Sequence, residues 1–413
     1  MTGNHYTRRT VTALAVFFLR WGWLLIAVLP LTQLGGRALF NVLASIYGLW
    51  GLLSLWGCAR RLDVTTTLLY VAMLAIFLLG IPMAVDPKEG LKVWAGFLAP
   101  SLALLLVQVA LWEPANTPDR LLDSIALFGS LTLAGLSITL CYYGFEWSGQ
   151  PFDPRIQLRE DELPFLLPFL LSWFWWHCAG SRRYLGMAGS VAAVLAYVVI
   201  SGGRAAFLGV VIALLVFGKI LLGWRLRWLI ALAAVVLTII IVADAGLFRR
   251  SDLDPQHPLN AFTSGRSALW RQALAHPPER PWLGVGLGNG RYATETLSFE
   301  LGGVQKRVQH LHNFVLDAWY ETGILGAGSL LALISMVFWR LVRRWVYLIP
   351  QDRERAGVLL AAALAILGTA MLSFSYTSRH FSYLFVCLGG LLYLSDPSRE
   401  VPAKKLDSDA SFP

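Results

Sequence analysis

Apolar runs separated by short polar clusters repeat along nearly the whole chain. Each runs to roughly 20 residues, the length that crosses the hydrocarbon core of a bilayer as a helix. The pattern predicts spans at 11–33, 38–58, 68–84, 93–112, 122–143, 163–179, 184–200, 205–222, 228–247, 314–337, 357–374 and 381–394. That is an all-α polytopic membrane protein of about twelve transmembrane helices, the last one short for a full crossing. One polar interval stands apart by its length, 248–311. Inside it, the stretch from Ser264 to Leu274 carries a helical apolar stripe, with Ser264 or Ser267 placed to cap it and Pro277-Pro278 to stop it. A glycine-rich turn region, Pro281 to Gly290, comes next, then a polar stretch that ends at His310 and His312. A smaller polar loop, 146–162, is closed by Pro164, and the tail 395–413 is polar and expected to be disordered. The whole chain, 1–413, reads as a single membrane domain with the loop 248–311 and the tail as its polar parts.

Composition agrees with the pattern. Hydrophobic residues make up 56% of the chain and charged residues 14%, with a mean hydropathy of +0.59. A soluble chain carries roughly a quarter charged residues. Seventeen tryptophans suit interfacial belts. The net charge of +9 needs no nucleic acid to explain it, because Lys and Arg gather on cytoplasmic loops. Here they gather on one side, with Arg8, Arg9, Arg60, Arg61, Arg182, Arg183, Arg225, Arg227, Arg343 and Arg344 among them. That side is therefore cytoplasmic, both termini lie on it, and the loop 248–311 lies outside. The first apolar run lacks a small-x-small cleavage site and is expected to be a retained helix. Cys58, Cys141, Cys178 and Cys387 fall in or beside apolar runs without metal-like spacing, as small core residues would.

A few polar residues change the picture. Arg204 sits between two apolar runs in Ser201-Gly202-Gly203-Arg204, so close to both that its backbone lies near membrane depth. An arginine there costs a few kcal/mol or more and faces a cavity or a partner, unless it snorkels to the interface. Its fork suits phosphate. Arg266 lies at the start of the expected loop helix, where anions are favoured, or is a solvated surface charge. Arg271 and Arg291 are weaker candidates of the same kind. His312 is a candidate general base, since imidazole titrates near neutrality, or a capping residue at the start of the next helix. Asn313, Asp317 and Glu321 enter that helix with it, Asp317 nearer and Glu321 deeper. His310 and His312 have no matching carboxylate cluster, so no metal site and no cofactor is expected. The glycines at 284, 286, 288 and 290 do not give the G-x-G-x-x-G spacing, and Asp252-Leu253-Asp254 lies in a solvated acidic loop.

Together these residues resemble the bacterial O-antigen ligase family, within a superfamily of ligases, polymerases and O-oligosaccharyltransferases. The strongest match is His312-Asn313, nine residues, Gly323, two residues, Gly326. Arg204 to Leu208 resembles the family's R-x-x-x-L element, although Gly203 stands where family members often have serine. Gly265-Arg266, Trp270 and the stretch ending at Gly286 resemble its large periplasmic loop. The resemblance implies a GT-C-like bundle in the bacterial inner membrane, with the site facing the periplasm. It implies a glycan donor on undecaprenyl diphosphate and a sugar hydroxyl of lipid A–core oligosaccharide as acceptor. It implies His312 as the base and Arg204 and Arg266 on the diphosphate, with inversion and no metal. An O-antigen polymerase would share these features. A polyisoprenoid or polysaccharide transporter would instead place ionisable residues mid-span, with Arg20 or Asp123 on a pathway.

Overall fold

The computed structural model describes residues 15–18, 20–58, 62–113, 116–144, 160–201, 203–225, 227, 266–292, 297–301 and 304–400. The expected span 228–247, the start of the long loop (248–265) and the end of the tail (401–413) lie outside them.

The described elements are α1 (Trp23–Val28), α2 (Thr32–Cys58), α3 (Val64–Leu79), α4 (Pro87–Ser101), α5 (Ala103–Leu111), α6 (Pro118–Gly144) and α7 (Leu163–His177). After them come α8 (Gly180–Ser201), α9 (Arg204–Ile220), α10 (Arg266–Ala275), β1 (Ser298–Leu301), β2 (Val304–Arg307), α11 (Phe314–Arg344), α12 (Pro350–Ala370) and α13 (Ser382–Leu394). Four stretches among the described residues are long and apolar enough to cross a membrane: Val64–Met83, Pro87–Leu111, Pro118–Thr139 and Phe314–Tyr347. Shorter apolar helices include Ala205–Ile220 and Arg379–Leu394. The expected span at 93–112 falls on Pro87–Leu111, where Pro100 lacks an N–H but the ladder resumes at once, Leu102 donating to the Leu98 carbonyl at 3.1 Å.

The short final helix has a packing reason. All thirteen residues of α13 and all nine of α5 are buried, so these two form the middle of the bundle rather than its lipid-facing wall. Beside them, α12 packs closely on α9. The contact is lined by small residues: a Cβ at Gly209 would collide with Thr369, and one at Gly357 with Ile220. Helices in lipid gain little from hydrophobic burial, so close backbone approach through small residues supplies the attraction. These contacts make α9 and α12 antiparallel. The start of α9 and the end of α12 therefore share one end of the bundle.

The other end is held by charge. Arg340 at the end of α11 pairs with Asp63, which caps α3. Arg355 joins Asp119 of α6 to Asp352, and Arg399 reaches Asp352 at 3.0 Å. The tail, expected to be disordered, is thus ordered as far as a short turn at Pro397–Glu400. Cys387 is in the core as expected, whereas Cys141 is exposed and Cys178 half-buried.

Among its described residues, the long loop contains a helix and a hairpin. Helix α10 starts at Arg266, which puts Ser267 inside it rather than at its cap. Strands β1 and β2 pair antiparallel, Ser298 opposite Arg307 and Leu301 opposite Val304. The expectation of an all-helical chain holds for the bundle and misses this hairpin. Two glycines separate the strands in sequence, a spacing that favours a tight hairpin. A small apolar cluster of Leu269, Ala273, Leu297, Leu311 and Tyr320 seats the loop on the first turns of α11.

Helix α11 is broken at Gly323 (φ 68°, ψ −171°), a backbone region open essentially only to glycine. The glycine-rich segment fills the break. Val285 and Gly286 donate to the carbonyls of Tyr320 and Glu321 at 3.0 and 2.9 Å, and Ile324 donates to the carbonyl of Pro281 at 2.9 Å. Every backbone group freed by a break within a membrane helix must find a partner, and the loop provides these. Gly284, Gly286 and Gly288 all have positive φ, and a Cβ at Gly284 would strike the backbone of Glu321. The far face of the segment is clamped by Asn289, whose side chain bonds the Asp86 backbone at 2.7 and 3.1 Å, and by Arg280, which bonds the Met83 carbonyl at 2.7 Å.

Gly323→Ala is expected to cost at least about 1–3 kcal/mol from backbone strain alone, before the collision of its Cβ with Trp282 is counted. Thermal unfolding in detergent, with protease cleavage near residues 281–290, measures it; an unchanged midpoint and an uncut loop would contradict this role.

Candidate active site

His312 lies where the loop enters α11. It is the one non-glycine residue with positive φ (53°) among the described residues. Left-handed backbone is costly for a side-chain-bearing residue and persists where surrounding bonds impose it. The bonds here are identifiable. The His312 N–H donates to Nδ1 of His310 at 3.2 Å, and the Leu311 N–H donates to Oδ1 of Asp317 at 2.7 Å. Trp270 of α10 donates its indole N–H to the Leu311 carbonyl at 2.8 Å. Asn313 then caps α11, its Oδ1 accepting from Val315 and Leu316 at 3.0 and 3.1 Å. Its Nδ2 donates to the Met371 carbonyl at 3.2 Å, which ties the start of α11 to the end of α12.

The ring itself is oriented by one bond. Nδ1 of His312 lies 2.6 Å from the backbone carbonyl of Ser373. A carbonyl can only accept, so Nδ1 carries the hydrogen and Nε2 of the neutral ring is left with its lone pair. That is the tautomer a general base needs. Burial, then the charge of Arg266, hold the imidazole below its ordinary value, while the Ser373 carbonyl and Asp161 act in the opposite direction. At neutral pH the ring is neutral and able to accept a proton.

His312 opens onto a cavity of about 640 Å³. Its wall includes His310, Asp161, Ser373, Tyr376, Arg379 and His380, with Phe97 and Phe385 below. Asp161 accepts a hydrogen bond from the Ser373 hydroxyl at 2.6 Å. Glu162 is fully buried beside Arg379 and His380, in contact with the His380 ring and 3.8 Å from the arginine.

The candidates from sequence separate into three groups. Arg266 lies near enough to His312 for its charge to act on the ring, although it is absent from the cavity wall. Arg204 opens α9 at the same end of the bundle; its side chain lies outside the described part of the structure. Asn313, Asp317 and Glu321 face the scaffold, with Glu321 taking the Tyr376 hydroxyl at 2.9 Å and backbone N–H groups of Gly288 and Gly290. Arg291 is turned to Glu89, 2.6 Å away, and is absent from the cavity wall. Sequence reasoning missed Asp161, Glu162, Ser373, Arg379 and His380. Their one local signal was Ser378-Arg379-His380 set between two apolar runs.

Residues 188–331, from within α8 through the loop and into α11, match the family model described as O-antigen ligase. That stretch of the chain, about a third of its length, is similar to the O-antigen ligase family. No curated protein matches the chain. The match supports a membrane environment, lipid-linked glycan substrates and glycosyltransferase-like chemistry. The geometry accounts for the matched motif residue by residue. His312 is the ring on the cavity wall, Asn313 the cap, Gly323 the break, and Gly326 the position where a side chain would meet Thr322 and Phe77.

Asn313→Ala is expected to cost about 1 to 2 kcal/mol for the lost cap and to loosen the ring that follows from it. Thermal unfolding and turnover checked together should both fall; a stable variant with full turnover would show that the cap does not position His312.

Proposed function

We propose that the chain is an O-antigen ligase that moves a glycan from undecaprenyl diphosphate to a sugar hydroxyl of lipid A–core oligosaccharide. It would act as a single membrane domain of the bacterial inner membrane, both termini cytoplasmic and the loop 248–311 in the periplasm. The observation that carries this reading is the hydrogen bond from His312 to the Ser373 carbonyl, which leaves Nε2 as a base at the edge of a large cavity. In the proposed step, Nε2 takes the proton of the acceptor hydroxyl. The oxygen attacks the anomeric carbon, and the bond from that carbon to the diphosphate breaks. A direct displacement inverts the configuration. Arg204 and Arg266 neutralise the charge that builds on the departing diphosphate, where a preorganised cation is worth most. They take the place of a divalent cation.

Asp317 and Glu321 support the loop rather than the substrate, and Arg291 holds the loop to α4 through Glu89. Asp123, a possible pathway residue for a transporter, lines a separate cavity with Asp119 and Trp173 that shares no wall residue with the one at His312. That separation supports an enzyme.

The test is reconstitution with undecaprenyl-diphosphate glycan and lipid A–core in EDTA. Wild type should give glycosylated lipid A–core, with turnover in His312→Ala lower by on the order of 10²–10⁴-fold. The acid limb of the rate profile should lie below about 6.5, the ordinary histidine value, because the ring must be neutral to act and its environment disfavours the cation. Product in the form of longer lipid-linked glycan would assign a polymerase. Turnover that needs metal, or survives in His312→Ala, would sink the mechanism.

A further inference from the structure

A base that gains a proton where it is largely buried becomes a cation that the site must stabilise. The charges around His312 are therefore as informative as the ring. His310 belongs to the same loop, its ring centroid 4.1 Å away. Arg266 of α10 opposes the cation. Arg379 and His380, in the connection between α12 and α13, are held with Glu162. Asp317 lies behind His310, 3.8 Å from its Nδ1. Asp161, in the turn Glu160–Glu162 that leads into α7, is the carboxylate on the cavity wall that shares a bonded neighbour with His312.

That neighbour is Ser373. Its carbonyl accepts from His312 Nδ1 and its hydroxyl donates to Asp161 Oδ2, both at 2.6 Å. One residue therefore joins base and carboxylate through its backbone on one side and its side chain on the other. The partners stand 61 and 212 positions apart in the chain, so the link spans three separate elements. We propose that Asp161, acting through Ser373, is a positioning residue for His312: it fixes the carbonyl that sets the ring's tautomer and stabilises the imidazolium formed when Nε2 takes its proton.

The chemistry fits both halves. When Nε2 is protonated, Nδ1–H becomes a charged donor and its bond to the carbonyl strengthens. That gain is realised only if the carbonyl stays in place, and the Ser373 hydroxyl anchored on Asp161 keeps it there. The carboxylate also supplies the negative charge that offsets Arg266, which otherwise opposes protonation. Arg266 and Asp161 thus bracket the ring, one set to favour a departing anion and the other to keep the base strong enough.

The inference rests on His312 as the base, so its test reads the ring directly as well as the reaction. Histidine C2 hydrogen–deuterium exchange, followed by mass spectrometry on the full chain in lipid nanodiscs, gives the titration midpoint of each ring. In Asp161→Asn the His312 midpoint should fall by about half to one pH unit, with histidines outside the cavity as internal references. Ser373→Ala, which keeps the carbonyl and removes the tether, should move it in the same direction and serves if Asp161→Asn does not fold. The acid limb of turnover should shift to lower pH by the same amount, the plateau should drop on the order of tenfold, and Asp161→Glu should recover part of it. A His312 midpoint unmoved in both variants overturns the proposal, whatever the activity. A midpoint that moves in a protein that transfers no glycan upholds it and overturns the proposed reaction instead.

Discussion

A helix that stops bonding to itself inside a membrane must have its open N–H and C=O groups paired by something else, and at Gly323 that something is the protein's own extramembrane loop. The rest of the site depends on this exchange. The loop segment from Pro281 to Gly290 lies with one face in the break of α11 and the other on the turn between α3 and α4. Its glycines are there because backbone must meet backbone: a side chain at Gly284 would occupy the space of Glu321, and one at Gly323 that of Trp282. The loop is thereby part of the bundle, and the residue that ends it, His312, is placed with the accuracy of a helix terminus.

The placement of His312 then sets its chemistry. Two carbonyls at the end of α12 receive the two residues that open α11, Ser373 for the ring and Met371 for the cap. One pair of bonds thus fixes both the direction of the helix and the tautomer of the His312 ring. The charges are arranged with the same economy. Arg266 and Asp161 act on the ring in opposite directions, so its proton affinity is set by a difference rather than by burial alone.

Much of this was legible in the chain and some was not, for a reason that particular residues show. The apolar runs, the loop helix stopped by Pro277-Pro278, and the histidine at a helix start are all properties of neighbours in sequence, and periodicity and caps report them well. Gly323 was visible as part of a spacing, but its purpose was not, since that purpose is the segment from Pro281 that fills its break. Asp161 looked like one acid in an acidic loop. Its meaning comes from Ser373, 212 residues away, and no local pattern carries a pairing of that range. The hairpin was missed differently: Leu301-Gly302-Gly303-Val304 is a local signal, overlooked in a polar stretch. The buried final helix is the converse case, where unusual shortness was noticed and only the packing explains it.

The break in α11 also has a mechanical consequence. It divides the helix into two levers that do not share a continuous ladder. Residues 314–322 follow on His312 and Asn313 and are bonded to the loop; residues 324–344 are pinned near their end by Arg340 to Asp63 at the opposite end of the bundle. A continuous rod would transmit tilt from one end to the other. Across the break, the motion must pass through a few backbone bonds to a segment that is itself clamped to the α3–α4 turn. A change in bilayer thickness that tilts the longer lever therefore has no continuous helix by which to tilt the shorter one.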